Sequence, residues 1–155
     1  MQLIAIDPGL GGTGLALWDT DIDRRIPQDT VTIRPSKQKS DLPSRCLSVA
    51  VQVRTWVQDR IDPTKVCVAV VEQPEYFASA GGVMAATAGD VVRLTMVAAY
   101  VAAFLQDAGL AIKFYPVRIW KGQLPKDITV QRVRAHTQKE YTSHIADAVA
   151  LGLWY

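Results

Sequence analysis

With 155 residues, 49% hydrophobic and 21% charged, the chain is expected to form one globular domain over 1–155, large enough to bury a core without staples. Its two cysteines, Cys46 and Cys67, have no metal-ligand spacing, which argues against a zinc module or disulfide framework and for reduced thiols in a cytoplasmic protein. No basic region followed by a hydrophobic stretch opens the chain, and the apolar stretch 94–105 is too short to span a bilayer, so neither a secretory signal nor a membrane span is expected.

The first residues read as a β-hairpin: strand 2–7, turn 8–13, strand 14–19. A charged loop, 19–29, leads to a third alternating strand, 30–34, which extends the hairpin into an antiparallel meander. Residues 35–43 are polar. Over 44–59 the spacing of Leu47, Val51 and Val57, with Trp56, predicts an amphipathic helix. Pro63 ends that unit, and 65–72 is almost wholly apolar, as a strand covered on both faces must be. A loop, 73–82, precedes a long alanine- and valine-rich helix over 83–107, with Gly89 the point at which it could break. Apolar residues surround that helix, which implies burial on more than one face and suits a contact with a second subunit. Gly109 closes it, 111–115 is a fifth strand, and 129–137 and 143–153 are helices, the last capped by Ser143. This order predicts an α/β domain with a mixed five-stranded sheet, antiparallel through its first strands and parallel through the later ones, flanked by helices.

Charge is uneven along this layout. Between Lys113 and Lys139 there are seven basic residues (Lys113, Arg118, Lys121, Lys126, Arg132, Arg134, Lys139) and one acid, Asp127, so this segment carries +6 and the rest of a +2 chain carries −4. Such a segment points to a polyanion-facing surface.

The acids that close apolar runs carry the chemistry. Asp7 ends Leu3-Ile4-Ala5-Ile6 and is followed by a glycine-rich turn. Glu72 ends Val68-Ala69-Val70-Val71. His144 and Asp147, i and i+3, share one face of the final helix. Burying a carboxylate at a strand tip costs too much desolvation for packing alone to explain it, so a cation is expected opposite. Without one, neighbouring carboxylates repel and at least one stays protonated. Together these elements suggest a divalent-metal site.

The same pieces, in the same order, resemble the RNase H-like nucleases, and among them the RuvC-type Holliday-junction resolvases. They are Ile6-Asp7-Pro8-Gly9 with Gly14, Val71-Glu72-Gln73, His144-Ile145-Ala146-Asp147-Ala148, and the lysine-bearing segment with Pro116, Lys121-Gly122 and Lys126. The resemblance implies an RNase H-like fold and a crossover-junction endonuclease cutting four-way DNA junctions by two-metal-ion hydrolysis with Mg2+, for which Mn2+ can substitute. It implies that Asp7 is shared between the metals, that Glu72 serves one, and that Asp147 with His144 serves the other. Lys121 and Lys126 would contact phosphate, and Arg118, Arg132 and Arg134 would contact the duplex arms. Members also carry an aromatic soon after the strand-four glutamate that wedges into the junction. Here Pro74-Glu75 intervene before Tyr76-Phe77, so that ring is shifted. The implied partners are branched DNA and a second copy in a homodimer, with no organic cofactor.

Other readings stay open on the sequence. The enzyme could act on flaps, forks or structured RNA, or the chain could be a silent DNA-binding protein on the same fold. The phosphate loop of actin and sugar kinases also follows a strand with Asp-x-Gly, but enclosing a nucleotide takes two such domains, for which 155 residues leave no room.

Overall fold

Strand order follows from which apolar runs are buried on both faces. The computed structural model describes residues 1–35, 41–75, 89–122 and 124–155. In chain order its elements are β1 (Gln2–Asp7), β2 (Thr13–Asp19), β3 (Asp29–Ile33), α1 (Leu42–Gln58), β4 (Cys67–Gln73), α2 (Asp90–Asp107), β5 (Ala111–Pro116), α3 (Val117–Trp120), α4 (Lys126–Thr137) and α5 (Ser143–Trp154). They form a five-stranded sheet of order β3-β2-β1-β4-β5. The pairs β1–β2 and β2–β3 are antiparallel, and β1–β4 and β4–β5 are parallel.

The alternation of side chains along a strand divides the core in two. Ile4, Ile6, Leu15, Leu17, Ala69 and Val71 pack under α1 and α2. Leu3, Ala5, Ala16, Trp18, Val68 and Val70 pack under α4 and α5. Asp7 continues the second set along β1 and Glu72 continues it along β4, so both carboxylates project toward α5. Because Ile6 pairs with Val71 in the parallel register, Asp7 and Glu72 lie side by side on adjacent central strands.

Several boundaries and faces differ from the sequence reading. The first helix starts at Leu42 rather than Ser44, capped by Asp41, whose carboxylate accepts from the Ser44 amide at 2.8 Å. Pro43 fits in that first turn because no intrahelical donor is needed there. Its inward face is Cys46, Val49, Ala50, Val53, Trp56 and Val57, whereas Leu47 and Val51 point outward. The helix expected over 83–107 is described from Asp90, after Gly89 at φ 74°; residues 83–88 lie outside the described residues. Within one chain its burial is one-sided, on Val97, Ala98, Val101, Ala102 and Leu105, so the domain's own core covers a single face. Small alanines on the outer face make the pattern look apolar all round. Helix α3 was not expected, α4 begins at Lys126 rather than Thr129, and the cap of α5 is Thr142 rather than Ser143. Among the described residues no helix is long and apolar enough to cross a membrane.

Candidate metal and nucleic-acid site

At the carboxyl ends of β1 and β4, a tight loop, the N-terminal turn of α5 and the segment from α3 to α4 close on one another. The loop after Asp7 is tied by Thr13, whose hydroxyl accepts from the Gly9 amide at 3.2 Å and donates to the Gly9 carbonyl at 3.0 Å. A Cβ at Gly9 would sit 2.4 Å from the Gly12 carbonyl oxygen, so the loop closes only with glycine. Gly14 opposes Asp7 across the antiparallel pair. A Cβ there would lie 2.1 Å from the His144 carbonyl oxygen. The missing side chain at Gly14 therefore lets the start of α5 descend beside Asp7.

That approach brings the polar groups together. Asp7 is buried, 7% exposed, and its Oδ2 lies 2.9 Å from His144 Nδ1. With Asp7 ionised the carboxylate can only accept, so the imidazole is then the donor and holds Asp7 in place. One helical turn later Asp147, 4% exposed, accepts from Lys121 Nζ at 2.6 Å, and Lys126 Nζ lies 3.6 Å from its other oxygen. Burial raises the Asp7 carboxyl above its ordinary range and the nearby negative charge of Asp147 adds to this, while the bond from His144 opposes it. Glu72 is pushed up to about 8, first by burial and then by the charges of Asp7 and Asp147, against which Lys121 and Lys126 pull. Three carboxylates thus feel one another strongly.

Among the described residues, no three His, Cys, Asp or Glu side chains meet at metal-ligand spacing. Charge accounts for this spacing: the Lys121 ammonium is the counter-charge that Asp147 takes, and the acids otherwise repel. The donor set still fits a hard divalent cation. It is rich in carboxylate oxygen, Asp7 and Asp147 are buried, and Asp7 and Glu72 are held toward the neutral form first by burial and then by the other acids' charge.

The remaining candidates are placed unevenly. Arg118 pairs with Glu75 at 3.2 Å and is largely exposed. Arg132 lines a small hollow with Lys121, Trp120 and Thr129, next to the acidic cluster. Arg134 pairs with Glu140 at 3.1 Å in the last turn of α4, at the opposite end of that helix from Lys126. Tyr76 and Phe77 lie outside the described residues. Two groups escaped the sequence reading. Thr13 ties the loop, and Arg45, in the first turn of α1, donates from Nη2 to the Leu10 carbonyl at 3.3 Å. Basic residues stand out in a sequence where they cluster, and Arg45 is isolated there.

A mixed sheet of this order, with acids at the tips of its two central strands and on the last helix, defines the RNase H-like fold. Solved structures of the same architecture include Thermus thermophilus RuvC, at 17% identity and a TM-score of 0.68, covering 99% of this chain and 92% of that one. Another is T. thermophilus RuvC in complex with a Holliday junction substrate, at 16% identity and a TM-score of 0.70, covering 99% and 91%. The chain shares its fold with these proteins almost end to end. No family model and no curated protein sequence matches it.

Proposed function

We propose that the protein is a metal-dependent, structure-selective endonuclease that nicks four-way DNA junctions. The observation that carries this reading is the clustering of Asp7, Glu72 and Asp147, each from a different element and each within reach of the others' charge, beside Lys121 and Lys126. A cluster so costly to keep charged has an evident use: holding hard cations against a phosphodiester. The fold shared with a RuvC bound to a Holliday junction supports four-way DNA as the substrate.

Asp7, Glu72 and Asp147, with His144, would hold two Mg2+ ions, which Mn2+ can replace. Such ions supply an activated water and charge stabilisation at the attacking and leaving oxygens. The chain's own groups do the rest. His144 fixes the orientation of Asp7 through Nδ1. Lys121, whose ammonium lies 2.6 Å from Asp147, would neutralise the scissile phosphate. Lys126, at the first position of α4, contacts the adjoining backbone, and Arg118, Arg132 and Arg134 are left to contact the duplex arms at longer range. Ala5 and Val70, buried two residues earlier on the same face of β1 and β4, keep bulk water from beneath the acids.

A gel assay tests the reading directly, comparing four-way junction, fork, flap and linear duplex in Mg2+, Mn2+ or chelator. Nicking of the four-way junction that requires the metal and disappears in Asp7→Asn is the expected result. Equal cleavage of linear duplex would overturn the junction preference, and cleavage in chelator would overturn the metal.

A further inference from the structure

Beside His144, on the opposite face of the sheet from Lys121 and Lys126, a cleft of about 670 Å³ opens between the loop after β1 and the first turns of α1 and α2. Its lining includes Gly9, Gly11, Arg45, Arg93 and His144, together with Asp90. Among the described residues, none that lines this cleft belongs to the basic segment 113–139. The topology explains why it exists. The parallel strands end at the site, so the helices that follow them start there and run back along the sheet, which gathers their first turns around one opening.

Arg45 is the unusual group. One of its terminal nitrogens is bound by the Leu10 carbonyl, which fixes the guanidinium at the cleft wall. Among the described residues it forms no salt bridge, and the one carboxylate lining the cleft, Asp90, is taken by Arg93. Arg93, one turn into α2, pairs with Asp90 at 3.2 Å with both side chains about half exposed. So weak a surface pair is readily exchanged for a better anion. A guanidinium held by a carbonyl on one side and open on the other suits a phosphate oxygen, which accepts where Arg can only donate.

We infer that Arg45 and Arg93 form a second phosphate-binding wall, which grips the backbone of the cleaved DNA strand on the α1/α2 side of the acidic cluster. The strand then passes over the acids between two basic banks, Lys121 and Lys126 on one side and Arg45 and Arg93 on the other. Arg45 has a further part as a positioning residue. Its bond to Leu10 links phosphate capture to the loop that carries Asp7. The inference rests on the nuclease reading for the identity of its ligand.

The test is binding without catalysis. Labelled four-way junctions of two unrelated sequences are titrated in chelator at a series of KCl concentrations, with wild type, Arg45→Gln, Arg93→Gln and Arg25→Gln. Arg25 is exposed in the loop after β2, at the far end of the sheet, and serves as the reference. Removing one arginine–phosphate pair should lower the slope of log affinity against log salt by about 0.9, equally for both sequences. The expected result is that drop in Arg45→Gln and in Arg93→Gln, with Arg25→Gln unchanged. Wild-type slopes in both variants, with unchanged melting, would overturn the inference. Should Arg45→Gln melt early through loss of its bond to Leu10, Arg93→Gln decides, since it has no tie to the loop. A wild type that binds junctions with a steep salt slope yet nicks nothing in Mg2+ would sink the nuclease reading and leave this wall standing. A wild type that nicks, with slopes unmoved in the two variants, would sink only the wall.

Discussion

Glu72 ends an interior strand with its carboxyl pushed up to about 8 by burial and by Asp7 and Asp147. The unfolded chain releases that proton near the ordinary value of 4.5. Stability from the neutral acid is therefore complete below that value and is lost as pH rises through about 8, by on the order of a few kcal/mol. Asp7 shifts in the same direction. In chelator, the melting temperature should fall as pH rises from about 5 to about 8, and Glu72→Gln should flatten the fall. Adding Mg2+ at the upper end should restore the wild type and leave Glu72→Gln almost unmoved. A wild-type melting temperature that holds level across this window in chelator would refute the electrostatic account. The same substitution, like Asp7→Asn and Asp147→Asn, should reduce nicking on the order of 10³-fold or more while leaving junction binding largely intact. Lys121→Ala has a narrower effect, because Lys126 still faces Asp147 at 3.6 Å. Turnover should drop about 10²-fold, as for loss of one charge-stabilising donor, with a smaller change in melting temperature. Equal cleavage rates for Lys121→Ala and wild type would return that lysine to a purely structural role.

Secondary elements set how closely those residues approach, and here the glycines decide. Gly14 lets α5 sit against β2, where a Cβ would meet the His144 carbonyl at 2.1 Å. Backbone cannot yield as a flexible side chain can, so Gly14→Ala should push the helix start away, dragging His144 from Asp7. Gly152, two turns along, meets the Trp18 ring at 2.3 Å in the same sense, but far from the acids. Gly152→Ala should cost about 1–3 kcal/mol of stability by overpacking, whereas Gly14→Ala should also remove nicking in protein that still folds. Calorimetry beside the nicking assay separates the two, and parallel losses in both variants would contradict this division. How much of this was legible follows from the same approaches. Strands β1, β2 and β4 could be read because burial on both faces demands unbroken apolar runs, and the acids that break those runs were conspicuous. The inward face of α1 could not, since Leu47 and Val51 are as apolar as Val49 and Val53, and only the packed sheet chooses between them. The role of Gly14 was also hidden, because its neighbour in space is 130 positions away at His144.

At the scale of the whole molecule, the described residues of one chain bring Asp7, Glu72 and Asp147 into one cluster, whereas a four-way junction is resolved by two nicks on strands related by a two-fold axis. Two clusters must then be presented with matching symmetry, and a symmetric pair of chains is the simplest arrangement that does so. The basic segment lies on the α4/α5 side, on the same face as the acids, so each copy of such a pair could hold its own strand. The outer faces of α1 and α2 expose Leu47, Val51 and Val92, apolar surface of the kind that association would cover. Sedimentation should accordingly give twice the 17.0 kDa of one chain at working concentration. Acting on a cruciform extruded from a supercoiled plasmid, such a dimer should make both nicks within one binding event and release linear DNA. Mixing in excess Asp147→Asn chains should convert that product to nicked circles, because mixed pairs hold only one competent cluster. Linear product that persists unchanged under such mixing, from a protein sedimenting as a single chain, would show that one cluster cuts both strands in turn and would remove the argument for a pair.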